Sequence, residues 1–100
     1  MDNKFACYMR GMLSFQILFL LSKTSMHGDE LATQIGQRRG EKPKAGTIYP
    51  ALKDLKNKKL IKGEKQGKLI VYSLTSEGKK TVKYAIDYFC RCFGDVFRYK

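Results

Sequence analysis

The sequence predicts a mainly α domain with one small β-hairpin, in the order helix, helix, helix, hairpin, helix. Three observations predict it. Apolar residues recur at helical spacing in separate stretches. Two short runs rich in Ile, Val and Tyr flank a tight turn at Gln66-Gly67, and hydroxyl, glycine and proline residues punctuate the places where helices should start or stop. One hundred residues suit a single domain, long enough to bury about two-thirds of the surface of the unfolded chain without metal or disulfide staples.

Met12 to Lys23 is apolar almost all round, as a helix at the centre of a small core must be. Lys23-Thr24-Ser25 ends it. Ser25 is the expected N-cap of the second helix, with Asp29 and Glu30 in the first turn where the helix dipole favours anions. Gly28, Leu31, Ala32 and Ile35 share one face of that helix, which should end near Gly36 and lead into a polar loop from Gln37 to Lys44. The third helix should start near Gly46 or Thr47 and reach about Lys58. Ile48, Ala51, Leu52 and Leu55 form its apolar stripe, and Pro50 is tolerated if it lies in the first turn. Ile61 to Lys65 and Leu69 to Leu74 form the hairpin. Thr75 then caps a last helix running to about Phe97. Residues 1–75 make a head and residues 76–100 the final helix, together one compact unit. Three helices followed by a two-stranded wing is the plan of a winged helix-turn-helix, whose third helix enters the DNA major groove.

The charge supports a polyanionic partner. Twenty Lys and Arg oppose nine Asp and Glu, for a net charge of +11 and a pI near 9.7. Such an excess points to nucleic acid or an anionic membrane surface. The apolar run Ile17 to Leu21 is far short of the roughly 20 residues a bilayer span needs, so no membrane span is expected. Eleven of the basic residues lie between Arg38 and Lys68 against three acids, so this stretch carries +8 of the +11. A merely solvated Lys-rich face would mix the signs.

At 100° per residue, the stripe of the third helix leaves Gly46, Tyr49, Pro50, Lys53 and Asn57 facing away from the core. Tyr and Lys reach phosphates, while Lys and Asn reach base edges. The candidate DNA-binding set is therefore Arg38, Arg39, Lys42, Lys44, Gly46, Thr47, Tyr49, Pro50, Lys53 and Asn57, with Lys65 and Lys68 at the hairpin tip. The final helix carries a second signal. Val82, Ile86, Phe89, Phe93 and Val96/Phe97 form an apolar stripe over about 22 residues, about 33 Å long. A three-helix head covers only one end of it, so the remainder is an expected dimerisation surface, widened by Tyr84, Tyr88 and Cys92 and faced by Phe5, Tyr8 and Met9.

Several of these segments resemble the signature of the PadR-like transcriptional regulators. They are Gly11-Met12-Leu13, His27-Gly28-Asp29-Glu30-Leu31, Gly46-Thr47-Ile48-Tyr49-Pro50-Ala51-Leu52 with Leu55 and Leu60-Ile61, and Tyr72-Ser73-Leu74-Thr75-Ser76-Glu77-Gly78. The match runs from about Arg10 to Lys80. The resemblance implies a winged-helix domain on double-stranded DNA and a homodimer built through the C-terminal helix. It also implies a repressor, in some members released by a small hydrophobic effector, and it looks like the shorter branch of the family. Three departures stand out. Lys44-Ala45 replaces a frequent Ser-Pro, which leaves Thr47 to cap and Lys44 to meet a phosphate. Lys59 replaces a common Gly, where a left-handed backbone would cost roughly 1 kcal/mol. Asp29 replaces a usual Tyr.

Other constellations favour structure over chemistry. His27, the single histidine, reads as a helix-start residue. Three cysteines, Cys7, Cys90 and Cys92, make no disulfide scaffold and fit a reducing cytoplasm. Cys90 and Cys92 point about 200° apart on a helix and cannot share an ion within one chain, although two copies could across a dimer. No triad, phosphate loop or paired carboxylates is arguable, so neither an enzyme nor a cofactor is expected. Two other readings stay open: a winged-helix module that uses the same surface for a protein or RNA partner, and a sensor with an effector cavity lined by Tyr8, Phe89 and Phe93.

Overall fold

Ile17, Leu18, Leu20 and Leu21 place the apolar girth of one short helix at the centre of the molecule, where none is more than 5% exposed. A computed structural model describes residues 12–99. In it the central helix is α1 (Leu13–Leu21), followed by α2 (Gly28–Arg39), α3 (Ala45–Asn57) and α4 (Ser76–Phe93). A short strand β1 (Met26–His27) precedes α2, and β2 (Ile61–Gln66) and β3 (Leu69–Leu74) form the hairpin between α3 and α4. The three strands make one antiparallel sheet in the order β1-β3-β2, and a 3₁₀ turn, Gly94–Arg98, follows α4.

Around α1 the core collects Leu31, Ala32 and Ile35 from α2, Ile48, Leu52 and Leu55 from α3, Ile61, Tyr72 and Leu74 from the hairpin, and Val82 from α4. Among the described residues no polar or charged residue is buried. Fully burying one such aliphatic side chain stabilises the fold by about 1.5–3 kcal/mol. The stripes read from the sequence are therefore the residues that hold the head together.

Several boundaries differ from expectation, each for a local reason. Ser25 does not cap α2; His27 does. Its Nδ1 accepts from the Glu30 amide at 3.3 Å while its own amide donates to Glu30 Oε1 at 3.1 Å, a reciprocal box built on imidazole. The cap falls there because Met26 and His27 pair with Tyr72 and Val71 of β3, a strand too short to show in the sequence. Nor does α2 stop at Gly36. It runs on through Gln37, Arg38 and Arg39 to Gly40, whose left-handed backbone closes it. α3 starts at Ala45, after Lys44, with no side-chain cap, so Thr47 is an interior residue and Pro50 sits past the first turn. Pro50 and Gly46, the residue four back, are both exposed, so water can meet the carbonyl that loses its helical partner. The hairpin turn is Gly67-Lys68, one residue later than expected, because Gln66 still pairs with Leu69.

The expected cap at Thr75 is present, its side chain accepting from the Gly78 amide at 3.0 Å. The Thr75 hydroxyl also donates to the Lys59 carbonyl at 2.7 Å, and the Thr75 amide to the Leu60 carbonyl at 3.1 Å. Lys59 takes a left-handed backbone with φ of 62°. The start of α4 is thus bound to the segment joining α3 to β2. α4 itself ends at Phe93, short of the expected Phe97, because Gly94 begins the 3₁₀ turn. Its 18 residues span about 27 Å, not 33 Å.

Candidate nucleic-acid interface

α3 is divided cleanly between core and solvent. Ile48, Leu52 and Leu55 are at most 2% exposed, whereas Gly46, Thr47, Tyr49, Pro50, Lys53 and Asn57 are all exposed. The helical period alone produces this division, because residues 3 and 4 apart share a face. Tyr49, Pro50, Lys53 and Asn57 therefore form a continuous outward ridge, with α1 supporting the helix from behind.

The loop after α2 brings cations to the start of this ridge. Lys42 Nζ lies 2.8 Å from Asp29 Oδ1, a contact between the first turn of α2 and the loop. The hydrogen bond from Lys42, and then its charge, hold the Asp29 carboxyl below its ordinary value of 3.8. An open groove of about 390 Å³ runs between Gly28, Asp29, Lys42, Lys44 and Tyr49. Lys42 enters it already neutralised, while Lys44 makes no ion pair with a described residue.

On the other side of Tyr49 the wing approaches. A cleft of about 180 Å³ is lined by His27, Tyr49, Lys68, Leu69, Ile70 and Tyr72. Burial, and then the neighbouring Tyr49, push the Tyr72 hydroxyl above its ordinary value. Lys65 and Lys68 are exposed at the wing tip. Gly28, Asp29 and Tyr49 line both depressions, and the Tyr49 side chain, the one of them carried by α3, stands between the loop cations and those of the wing.

Two expected contacts are placed differently. Arg39 turns toward α1, half-buried, with its Nε donating to Gln16 Oε1 at 2.6 Å. Arg38 stays exposed but folds back onto its own helix, donating to the Gln34 carbonyl and side chain. The sequence reading also missed participants. Asp29 and Gly28 line the loop groove, and Leu69 and Ile70, 51% and 46% exposed, stand apolar beside Lys68. The available signal was the hydrophobic pair directly after a basic turn, which alternation alone assigns to the strand.

The stripe on α4 is shared between two environments. Val82 is buried in the head, Ile86 packs against the core, and Phe89 stacks on Phe15 of α1 with ring centres 5.5 Å apart. Beyond them Phe93, Val96 and Phe97 are 47%, 64% and 74% exposed, beside Tyr84 and Tyr88 at 79% and 62%. Phe5, Cys7, Tyr8 and Met9, and with them the effector cavity expected at Tyr8, lie outside the described residues. Among the described residues no helix is long and apolar enough to cross a membrane.

The winged-helix architecture recurs in solved structures. A PadR family transcription regulator from Clostridium difficile is 31% identical, with a TM-score of 0.73 over 88% of this chain and 96% of that one. RosR of H. salinarum is 27% identical, with a TM-score of 0.75 over 81% of this chain and 74% of its own. A PadR-like transcription factor from Bacteroides fragilis shares the fold at 24% identity, with a TM-score of 0.76 over 99% of this chain and all of that one. No curated protein sequence matches significantly. The model of the transcriptional regulator PadR-like family matches residues 17–84, from the second half of α1 through the wing to the first half of α4. With its three-helix head, hairpin wing and this match, the chain belongs to the PadR-like family of DNA-binding transcriptional regulators, not to a family of enzymes.

Proposed function

We propose that the protein is a homodimeric repressor that binds a specific double-stranded DNA site. The observation that carries this reading is the outward ridge of α3 flanked on both sides by exposed cations. α3 lies in the major groove with Lys53 and Asn57 toward base edges and Tyr49 toward a phosphate. Lys44 precedes the ridge, and Lys65 and Lys68 reach the backbone from the wing. One head reads only a few base pairs. Two heads joined through the exposed end of α4 bind as one bivalent ligand, for which the α3 helices must sit about 34–36 Å apart or at a multiple of that spacing. Occupancy of such a site excludes other proteins from the same stretch of promoter. A small hydrophobic effector would meet the Phe15, Phe89 and Phe93 rings on the α1–α4 side, where it competes with the packing that sets the arm.

The test is a titration of duplex DNA at several salt concentrations. Lys65→Ala and Lys68→Ala should each weaken binding across sequences and flatten the salt dependence by about one unit for each phosphate no longer neutralised. Lys53→Ala and Tyr49→Phe should weaken selected sites without lowering stability. Unchanged affinity and salt slope in all four variants would remove this surface from DNA binding, and would favour a protein or RNA partner for it.

A further inference from the structure

Gly28 opens α2 with an ordinary backbone conformation, since the positive-φ glycines among the described residues are Gly40 and Gly67. Its lack of a side chain therefore serves space and not backbone freedom. A Cβ at this position would lie 2.8 Å from both Cε1 and the hydroxyl oxygen of Tyr49, and 3.0 Å from Cζ. The Tyr49 ring lies directly on the bare backbone at the start of α2. Those atoms are the far end of a side chain that is 47% exposed, so the ring has solvent to swing into. A methyl group at position 28 would displace the ring and leave the backbone in place.

We infer that Gly28 is a positioning residue for DNA recognition, acting through Tyr49. The inference rests on the proposed use of the α3 ridge. Tyr49 lines both the loop groove and the wing cleft, as Gly28 and Asp29 do, so the angle of its ring fixes where its hydroxyl stands between Lys44 and Lys68. With Gly28 the ring seats against the bare start of α2, in the cleft that Tyr72 of β3 also lines. With alanine at 28 that seat is closed.

The experiment is a double-mutant cycle on a duplex enriched from a random-sequence pool by the wild-type protein, with Lys53→Ala measured in parallel. Gly28→Ala should keep the fold and the thermal midpoint, because alanine is the better helix former. It should weaken affinity for the enriched duplex by about 10-fold, on the scale of a single side-chain interaction with DNA. In a Tyr49→Ala background the same substitution should cost nothing further. An NMR contact between the Gly28 α-protons and the Tyr49 ring should be seen in the wild type. If Lys53→Ala weakens binding and Gly28→Ala does not, the positioning role is overturned while the DNA surface stands. An equal loss from Gly28→Ala with and without Tyr49 also overturns it, since the effect is then general. Failure of the wild type to enrich any duplex overturns the DNA reading, and the role of Gly28 falls with it.

Discussion

Gly78→Ala should destabilise the protein, although helix propensity alone predicts the opposite. Alanine in an ordinary helix position is about 1 kcal/mol better than glycine. At Gly78 a Cβ would fall far inside van der Waals contact with the Leu60 carbonyl oxygen, with the Leu60 carbonyl carbon at 3.0 Å and Leu74 Cδ2 at 3.2 Å. The first two are backbone atoms, and neither can swing aside. Relief requires α4 to move away from Leu60. That movement strains the Thr75 amide bond to Leu60 and the hydroxyl bond to Lys59, and the Gly78 amide that Thr75 caps. Overpacking of this kind costs typically 1–3 kcal/mol, and a broken cap adds about 1 kcal/mol. Less the propensity gain, the net loss is about 1–3 kcal/mol, which lowers the thermal midpoint of a domain this size by about 5–20 °C. Urea unfolding followed by far-UV circular dichroism, at one protein concentration for both chains, should show the midpoint falling by roughly 1–2 M. A variant as stable as the wild type, or more so, would show that α4 does not bear on Leu60 in the way described.

Three further outcomes follow from the same structure. Lys59→Gly should stabilise by about 1 kcal/mol, because glycine adopts the left-handed backbone without a Cβ penalty; an unchanged or lower thermal midpoint would count against it. Asp29 is held below 3.8 by Lys42, so its stabilising contribution is present above that value and lost as pH falls through the lower one. The midpoint difference between wild type and Asp29→Asn should therefore shrink on acidification, and a gap that persists unchanged to about pH 2 would contradict the pairing. Phe93→Asp, at a half-exposed ring, should leave a folded monomer in analytical ultracentrifugation and lower affinity for an enriched duplex by about 100-fold or more, the scale of lost bivalency. A dimer that survives the charge would place the interface elsewhere.

Much of the head could be read in advance because its forces are local and periodic. Ile48, Leu52 and Leu55 declared the buried side of α3, and their spacing then fixed Tyr49, Lys53 and Asn57 on the other. What escaped depended on partners distant in the chain. The two residues of β1 are a strand only because Tyr72 and Val71 accept them, and that pairing moved the helix cap from Ser25 to His27. Arg39 carries the same charge as its neighbours, and nothing local reveals that Gln16 on α1 draws it inward. Asp29 and Lys42 meet across thirteen residues for the same reason. Gly94 was visible, but the apolar spacing from Val82 to Phe97 continued across it and masked the break.

The joint at Thr75 bears on the geometry of the DNA site. With Leu60, Lys59 and Gly78 all engaged there, the head is not suspended from α4 by a swivel; arm and head turn as one piece. In a dimer paired along α4, two such pieces hold their α3 helices like the fixed points of a caliper. One base pair added between half-sites moves the second by about 3.4 Å and rotates it by about 34–36° around the duplex. A loose hinge would absorb that error, and this joint passes it on to the bases. In such a dimer the distance between half-sites is part of the message, alongside the letters within them.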